Sequence, residues 1–232
     1  MVKLGIVCGL SFEAAIVERA IQQINPAHKP VVACSGPGIS RAQDTALRLA
    51  EKGVEALLSF GIAGGLAPNL KTGSVVIATQ LVGDKQLPCH EPWAARLFES
   101  LDPHFEVTRD PLAGARDVLA TPASKASLFR ENGAVAVDME SYGVAEAATA
   151  KTLPFAALRV VCDTADETIP PIAVAAMGDD GRTRISATIV QAIAHPGQIP
   201  DLIRLGRRTE QARRVLEKLA GFGVPRLFRV SR

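Results

Sequence analysis

Residues 133–148 read GAVAVDMESYGVAEAA, and this stretch decides the fold that we expect for the chain. Its first residues are small and apolar and indicate a buried strand, whereas the residues after Glu140 indicate a helix. Two acids, Asp138 and Glu140, flank Met139 where the strand gives way to the helix. One interpretation is a capped helix with a core methionine, because acids are stabilised near a helix N-terminus. The other is a functional site at the end of a strand.

The same alternation of strands and helices runs along most of the chain. The predicted strands are Lys3–Cys8, Val31–Cys34, Ala56–Phe60, Ser74–Val82, Asp117–Thr121, Ala134–Val137 and Ala156–Val161. The predicted helices are Phe12–Ile24, Ser40–Lys52, Pro92–Leu101, Ala123–Glu131, Ser141–Lys151, Arg184–Ala194 and Pro200–Ala220. This order favours an α/β fold with a mainly parallel sheet covered by helices on both faces. One antiparallel edge is allowed near Ser74–Val82, and Glu167–Arg182 is expected to form a loop or lid.

The composition favours one domain over residues 1–232, with 47% hydrophobic and 22% charged residues. The net charge of +2 gives no reason to expect a nucleic-acid partner. The charge is uneven, because residues 197–232 hold nine Lys or Arg against three Asp or Glu. We therefore expect a distinct basic, helical C-terminal segment over 197–232.

The cysteines and the apolar runs indicate a cytoplasmic protein. The four cysteines form no C-x-x-C pair and have no histidine at zinc-like spacing, so we expect free thiols and no metal site. The N-terminal run VKLGIVCGL is short and predicts a first strand rather than a signal peptide. No apolar run approaches the ~20 residues that a membrane-spanning helix needs.

Three acids follow strands that are predicted to end at the same edge of the sheet. They are Glu13, Glu140 and Asp163. Each alone is explained as a turn residue or a first-turn helix acid. A partly desolvated carboxyl at a strand end also has a raised pKa, which suits a general acid. In open parallel sheets, ligands bind beyond the carboxyl ends of the strands, so the convergence of the three acids indicates a functional site.

Two glycine-rich segments contribute to the same edge. SFGIAGGL (59–66) lacks the G-x-G-x-x-G spacing and precedes no helix, which argues against a dinucleotide fold. It either lets backbone approach a ligand or simply connects two strands. CSGPGISRA (34–42) is a strand, a turn and a helix start, where Gly38 and Arg41 either bind an anion such as phosphate or form an ordinary turn with a solvated arginine.

Four segments, in this order, resemble the purine nucleoside phosphorylase and nucleosidase superfamily. They are GIVCGLSFE, SFGIAGGL, AVDMESYGVA and RVVCDTAD, between Gly5 and Asp166. The resemblance implies a three-layer αβα sandwich with a mixed central sheet. The chain length, TPASK (121–125), Pro170-Pro171 and the arginine-rich tail are similar to the hopanoid-associated phosphorylases, which are proposed to remove adenine from adenosylhopane in bacterial hopanoid synthesis.

The resemblance implies a role for each acid. Asp163 would protonate or hydrogen-bond N7 of the leaving purine, Glu13 would orient the attacking water, and Arg159 would lie near Glu13. Glu140 would bind the ribose 2′- and 3′-hydroxyls and Met139 would pack on the sugar face or simply fill the core. Asp138 is expected to serve only the backbone turn.

The resemblance also implies the surroundings of the acids. The loop along the ribose and the nucleophile would be Gly61, Ile62, Ala63 and Gly64, and the purine pocket would be Thr121, Pro122, Ala123 and Cys162. Two departures stand out, since Ile62 and Cys162 occupy positions where related proteins often have serine. Glu13 favours water as nucleophile, whereas Gly38 and Arg41 leave phosphate open as a co-substrate; no cofactor is expected.

The expected function is therefore cleavage of an adenine nucleoside, with adenosylhopane as the favoured substrate. The alternatives are a methylthioadenosine/S-adenosylhomocysteine nucleosidase and a non-catalytic purine-binding module. The segment IPPIAVAAM (169–177) would either line an apolar path for a lipid-linked 5′ group or form a surface loop. The basic tail would either contact anionic lipid at the inner membrane or form a solvated face or an oligomer contact. A homo-oligomer is expected.

Overall fold

The computed structural model of the chain describes residues 2–175, 197 and 199–223. The strands are β1 (Leu4–Cys8), β2 (Val31–Cys34), β3 (Ala56–Gly65), β4 (Val75–Val82), β5 (Gln86–Pro88), β6 (Val107–Gly114), β7 (Ala136–Asp138) and β8 (Phe155–Asp163). The α-helices are α1 (Ser11–Ala20), α2 (Ile39–Glu51), α3 (Glu91–Leu101), α4 (Pro122–Asn132), α5 (Ser141–Ala150), α6 (Pro171–Ala175) and α7 (Ile199–Gly223), and a 3-10 helix covers Pro26–His28. The helix predicted at Arg184–Ala194 lies outside the described residues.

The eight strands form one mixed sheet that partly closes on itself. β2, β1, β3 and β8 are parallel neighbours, and β8 is antiparallel to β4. β4 and β7 are each parallel to β6, and β7 returns antiparallel to the last residues of β3, Gly64 and Gly65. Strands β3, β8, β4, β6 and β7 therefore form a closed ring, from which β1 and β2 extend on one side and β5 on the other. The predicted mainly parallel, mixed sheet is confirmed.

Helices cover both faces of this sheet, which confirms the αβα architecture. On one face, apolar side chains of α1, α3 and α7 pack against inward residues of β1, β4 and β8. On the other face, α2 and α5 pack against the opposite side chains of the same strands. Every residue of β8 is buried, as expected for a central strand covered on both faces.

One predicted strand is wrong. Asp117–Thr121 forms a loop and the start of a turn, whereas the strand of this region is β6, at Val107–Gly114. β6 escaped prediction because its first five residues are only half-buried and include charged side chains. It also contains Pro111, which lies where the register of β6 against β4 shifts, a position that tolerates a residue without an N–H group.

Smaller differences concern the sheet edge and the segment after β8. β4 has antiparallel partners, as allowed, but it lies inside the sheet and the short strand β5 forms the edge. The predicted loop Glu167–Arg182 contains α6, a short helix that follows Pro170. Residues 176–182 of that segment lie outside the described residues.

The helix α7 is anchored in the core by one face. Its residues Ala212, Leu216 and Leu219 are fully buried in the same apolar cluster as α1 and the sheet. No helix among the described residues combines the length and the apolar composition needed to cross a bilayer.

Candidate active site

Three acidic side chains from distant parts of the sequence lie around one cavity at the end of the sheet. Glu13 belongs to α1, Glu140 is the residue before α5, and Asp163 is the last residue of β8. All three line a cavity of about 130 Å³, and none is more than 7% exposed. The structure therefore brings together the three acids that the sequence placed at one edge.

Glu13 is held by backbone donors from two elements. Its Oε2 accepts the N–H of Leu10 at 2.9 Å, and its Oε1 accepts the N–H of Ile62 at 2.8 Å. This approach to β3 requires a glycine, because a Cβ at Gly61 would lie 2.5 Å from Oε1 of Glu13 and 2.3 Å from Nη1 of Arg159. Burial raises the pKa of Glu13, while Arg159 and the backbone donors oppose the rise.

Arg159 is a fully buried cation beneath the cavity, and the acids surround it. Its Nε lies 2.6 Å from Oδ2 of Asp138, and its Nη2 lies 3.8 Å from Oε2 of Glu140. Burial disfavours the charge, but Asp138, Glu140 and Glu13 raise the pKa of Arg159, so it stays protonated. Arg159 does not line the cavity, so the structure gives it a position from which it holds the acids rather than touches a ligand.

Asp138 does more than the backbone turn that was expected of it. Its Oδ1 accepts the N–H groups of Glu140 and Ser141 at 2.9 and 2.8 Å, which fixes the turn into α5. Its Oδ2 accepts the hydroxyl of Ser141 at 2.5 Å and pairs with Arg159. The second carboxyl oxygen therefore connects the turn to the buried cation.

Glu140 faces the cavity from the start of α5. Burial raises its pKa to about 8; Arg159 opposes the rise and two neighbouring acids add to it. The backbone N–H of Gly38, at the start of α2, donates to its carboxylate. The chain passes so close at Gly9 that a Cβ there would lie 2.6 Å from Cδ of Glu140.

Asp163 is paired with a buried lysine that the sequence analysis did not single out. Nζ of Lys125 lies 2.5 Å from Oδ2 of Asp163, and Lys125 is 0% exposed. Burial raises the pKa of Asp163, and Lys125 opposes this effect. A lysine in the first turn of a helix is usually solvated, so no pattern in the sequence indicates that Lys125 is buried.

Most, but not all, of the remaining residues predicted for the ribose loop line the cavity. Ile62, Ala63, Gly64, Met139 and Cys162 line the cavity, whereas Gly61 lies behind it. Burial raises the pKa of Cys162 to about 11, so its thiol is protonated near neutral pH. None of the described residues that line this cavity is aromatic.

The predicted purine pocket at Thr121, Pro122 and Ala123 needs correction. These residues form the cap and first turn of α4, where Thr121 and Ala123 are exposed, and none of the three lines the cavity. The reason is that β6 ends at Gly114, so the loop that follows covers the cavity and α4 begins outside it. Ala115, Asp117, Val118, Leu119 and Lys125 line the cavity from this region instead.

The predicted phosphate residues do not converge on the cavity either. Arg41 is exposed, and its Nη1 donates to the carbonyl of Pro37 at 3.0 Å. The N–H of Gly38 is directed to Glu140, as described above. Among the lining residues of this region only Pro37 belongs to the turn before α2.

A second, larger cavity adjoins the first. Its volume is about 520 Å³, and both cavities are lined by Leu10, Ile62, Val118, Cys162, Asp163 and Ile169. Its outer wall includes Phe12, Ala173 of α6, and Leu202 and Leu205 of α7. Together the two cavities fall within the range of about 300–1,000 Å³ that is typical of ligand sites.

No group of three or more His, Cys, Asp or Glu side chains within the described part of the chain could hold a metal ion. The clustered acids are instead occupied by Arg159, Lys125 and backbone donors. The arrangement offers carboxyls with raised pKa values on two sides of a small cavity. Such carboxyls suit proton transfer and hydroxyl binding.

The sequence matches the family model of the phosphorylase superfamily over residues 3–194. The chain belongs to the phosphorylase superfamily. This membership confirms the expectation of an enzyme of the phosphorylase or nucleosidase kind.

Solved structures of nucleosidases and of a futalosine hydrolase share this fold at low sequence identity. A methylthioadenosine nucleosidase variant from Helicobacter pylori, with 5′-methylthioadenosine in its active site, has 17% identity and a TM-score of 0.69 over 94% of this chain and 98% of that one. The S-adenosylhomocysteine nucleosidase from Streptococcus pyogenes has 18% identity and a TM-score of 0.69 over 95% and 96%. Futalosine hydrolase from Helicobacter pylori has 22% identity and a TM-score of 0.65 over 70% and 88%.

Proposed function

We propose that the chain hydrolyses the N-glycosidic bond of an adenine nucleoside, with adenosylhopane as the favoured substrate. The observation that carries the proposal is the meeting of Glu13, Glu140 and Asp163 at one cavity. Cleavage of the C1′–N9 bond leaves negative charge on the base and positive charge on the ribosyl group. The reaction therefore needs a proton donor at the base and an activated nucleophile at the sugar.

Asp163 is the proposed proton donor. Burial raises its pKa, which favours the protonated form that a general acid requires. It lies at the end of β8 beside Gly64, where a Cβ would come within 3.2 Å of its Oδ2. In this role Asp163 protonates N7 of the departing adenine, and the aliphatic side chains of the loop after β6 cover the base.

Glu140 and Met139 form the proposed ribose site. A carboxylate accepts two hydrogen bonds and so suits the adjacent 2′- and 3′-hydroxyls of a ribose. Met139 lines the same cavity and offers a polarizable thioether to the sugar face. Arg159 and Asp138 hold the turn from which both side chains project.

Water is the proposed nucleophile, oriented by Glu13. The backbone N–H groups of Leu10 and Ile62, which would suit an anion, already donate to Glu13. Arg159, at this end of the cavity, is already paired with Asp138, so it is not available to balance the charge of a phosphate ion. Arg41 lies outside the cavity, which removes the cation that the phosphate alternative relied on.

The second cavity supports an apolar 5′ substituent. It adjoins the first cavity beside Ile62 and Cys162, and its wall includes Ile169 and Ala173 from the segment expected to line an apolar path. Met177, at the end of that segment, lies outside the described residues. Its volume is about four times that of the first cavity, which favours a large apolar group such as that of adenosylhopane over a methylthio group.

The outer end of α7 is the proposed contact with lipid. Ile199 and Ile203 are 40% and 51% exposed, and they lie one turn apart, close to Leu202, which lines the second cavity. A membrane-resident substrate would be drawn from this side. Cytoplasmic location and self-association remain part of the proposal. The free thiols support the location. No contact surface within the described residues supports self-association.

Two other functions are distinguished from this one by substrate preference and by whether adenine is released. A methylthioadenosine/S-adenosylhomocysteine nucleosidase would prefer small thioether groups at the 5′ position, which leave most of the second cavity unfilled. A non-catalytic purine-binding module would bind adenine and release none from nucleosides. The raised pKa values of the clustered acids favour catalysis, since binding alone does not require a protonated carboxyl.

The test incubates the protein with adenosine, methylthioadenosine and a 5′-alkyl adenosine of long chain, with and without phosphate. We expect release of adenine and of the free sugar, at a rate that rises with the apolar 5′ group and does not depend on phosphate. A sugar 1-phosphate formed only with phosphate would contradict hydrolysis. The best turnover with methylthioadenosine would favour the nucleosidase alternative.

Asp163→Asn tests the assigned acid, and Asp166→Asn is its matched control. We expect D163N to lose about 10²- to 10⁴-fold in turnover, as for removal of a general acid, while it still binds adenine. Asp166→Asn changes an exposed acid three residues further along the same turn and is expected to keep wild-type activity. Equal rates for D163N and wild type would overturn the assignment.

A further inference from the structure

Lys125 is placed where a lysine is costly. It lies in the first turn of α4, where the helix dipole disfavours a cation, and its side chain is 1% exposed. A buried ammonium group is tolerated only when it is paired and its protons are bonded. The position therefore requires a partner that compensates the cost.

The partners of Lys125 account for all three of its protons. Nζ donates to Oδ2 of Asp163 at 2.5 Å, to the carbonyl of Thr164 at 2.6 Å and to the carbonyl of Glu167 at 3.0 Å. An ammonium group has three donors and no acceptor, so none remains for a ligand. Lys125 thus lines the cavity without a free proton to offer to a base, and any effect it has on a reaction passes through its partners.

The turn after β8 is fixed by the same contacts. Thr164 and Glu167 belong to this turn, and the side chain of Glu167 accepts the N–H of Thr164 at 3.0 Å and pairs with Arg208 of α7 at 2.5 Å. Ile169 donates its N–H to the carbonyl of Ala120, just before α4, at 2.9 Å. The turn that carries Asp163 into the cavity is therefore tied to both α4 and α7.

We propose that Lys125 is the positioning residue of Asp163: it holds Oδ2 in the wall of the cavity and leaves Oδ1 to face the leaving base. This inference rests on the proposed function for the identity of the base, but the geometry of the carboxyl is independent of it. Three charged groups face Asp163, namely Lys125 from α4, Arg208 from α7 and Glu167 from the turn. Cys162 of β8 adds a buried thiol.

The pH behaviour of the site follows from the pairing. Burial raises the pKa of Asp163 and the cation of Lys125 lowers it, so removal of the cation leaves burial unopposed. In Lys125→Met the pKa of Asp163 rises. Because the proposed acid must be protonated, the basic limb of the kcat/KM profile then moves to higher pH, while the misplaced carboxyl lowers kcat/KM by about 10- to 100-fold.

A double-mutant comparison separates positioning from a purely structural role. If Lys125 acts through Asp163, K125M reduces the activity of wild type but leaves the residual activity of D163N unchanged. Lys151→Met removes an exposed lysine at the end of α5 and is expected to change neither the rate nor the profile. Equal losses in both backgrounds would overturn the proposal, as would a K125M profile that overlies that of wild type.

A carboxyl ¹³C NMR titration keeps the inference independent of turnover. The signal of Asp163 is assigned from its absence in D163N, and its titration midpoint is expected to be higher in K125M than in wild type. An unchanged midpoint would refute the pairing even if the enzyme is active. If wild type cleaves no nucleoside but the midpoint rises in K125M, the proposed function fails and the pairing of Lys125 with Asp163 stands. Should K125M not fold, Lys125→Gln, which keeps donors to the carbonyls but no charge, is expected to raise the midpoint in the same direction.

Discussion

Arg159 is the cation that Glu13, Asp138 and Glu140 share. Asp138 makes the short contact at 2.6 Å, so the charge of Arg159 is largely balanced by that acid. Burial then leaves Glu13 and Glu140 with raised pKa values, and the value of about 8 for Glu140 keeps a proton on that residue near neutral pH. The site is therefore prepared to exchange protons when hydroxyl groups or water enter.

The pH dependence of the unfolding free energy of Glu140→Gln tests whether Glu140 holds a proton in the folded state. The pKa of Glu140 is about 8 in the folded chain and 4.5 ordinarily, so the folded state keeps a proton that the unfolded state releases between these values. Wild type therefore loses unfolding free energy as pH rises from about 4.5 to about 8. E140Q does not titrate there, so its unfolding free energy falls less steeply, as measured by urea unfolding at several pH values.

The same variant reports on the ribose site. Loss of the carboxyl hydrogen bonds to the diol is expected to reduce kcat/KM by roughly 10- to 100-fold. Glu146→Gln, on the half-buried side of α5, is the control and is expected to leave both activity and pH dependence near wild type. If the unfolding free energies of E140Q and wild type fell in parallel as pH rises, the raised pKa of Glu140 would be contradicted.

At the scale of elements, β3 determines how closely the acids approach the sheet. Its residue Gly61 is opposite Arg159 in the register of β3 and β8. A side chain at this position would occupy the space in which Glu13 and Arg159 approach each other. The strand is therefore as much a part of the site as the acids that it supports.

Gly61→Ala is expected to destabilise the fold and to reduce activity. The added Cβ would overlap two buried groups, and overpacking of this kind costs about 1–3 kcal/mol of unfolding free energy. Gly221→Ala, on α7, adds a Cβ that meets nothing within 4 Å. It is expected to be neutral or to stabilise by about 0.5–1 kcal/mol. Thermal unfolding of both variants makes the comparison, and equal stability of G61A and wild type would contradict the close approach.

The elements that the sequence predicts well are those with uniform patterns. β8 is apolar along nearly its whole length and α5 begins at a clear turn, so the neighbourhoods of Asp163 and Glu140 are assigned correctly. β6 has charges and a proline within it, and burial of its second half comes from partners far along the chain. Periodicity in one sequence does not contain that information.

The same limit explains the errors within the site. Lys125 is buried only because Asp163 and two carbonyls, some forty residues later, come to meet it. The misplaced purine pocket at Thr121, Pro122 and Ala123 follows from the missed strand, since it assumed a strand that ended at the cavity. The acids are predictable from the sequence because each is at the end of a strand with a clear apolar pattern or within a few residues of it.

At the scale of the molecule, α7 is attached to the sheet and closes the second cavity. Its charges are largely compensated, because Arg204, Arg208, Arg213 and Arg214 each pair with an acid. The basic character read from residues 197–232 is therefore weaker along the described helix than the sequence indicates. That the chain is a single domain stays a prediction, supported by the burial of Leu216 and Leu219 against the sheet cluster.

The proposed lipid contact should accordingly depend on apolar residues more than on charge. Replacement of Ile199 and Ile203 by serine is expected to reduce co-sedimentation with neutral and anionic liposomes alike, because these side chains are exposed beside the cavity. Arg207→Ser, at an exposed position of the same helix, is expected to have little effect. Absence of wild-type binding to either kind of vesicle would reject the membrane contact.

The acids around Arg159 also bear on which adenine compounds the site admits. Adenine nucleotides contain the same base, ribose and N-glycosidic bond as adenine nucleosides, so an unselective glycosidase would cleave them as well. Asp138 balances the charge of Arg159, and the raised pKa of Glu140 keeps it protonated near neutral pH, so this cluster offers no unpaired positive charge to an additional anionic group in a buried, low-dielectric setting. The cluster that would assist the reaction on a neutral nucleoside would thereby protect nucleotides from it.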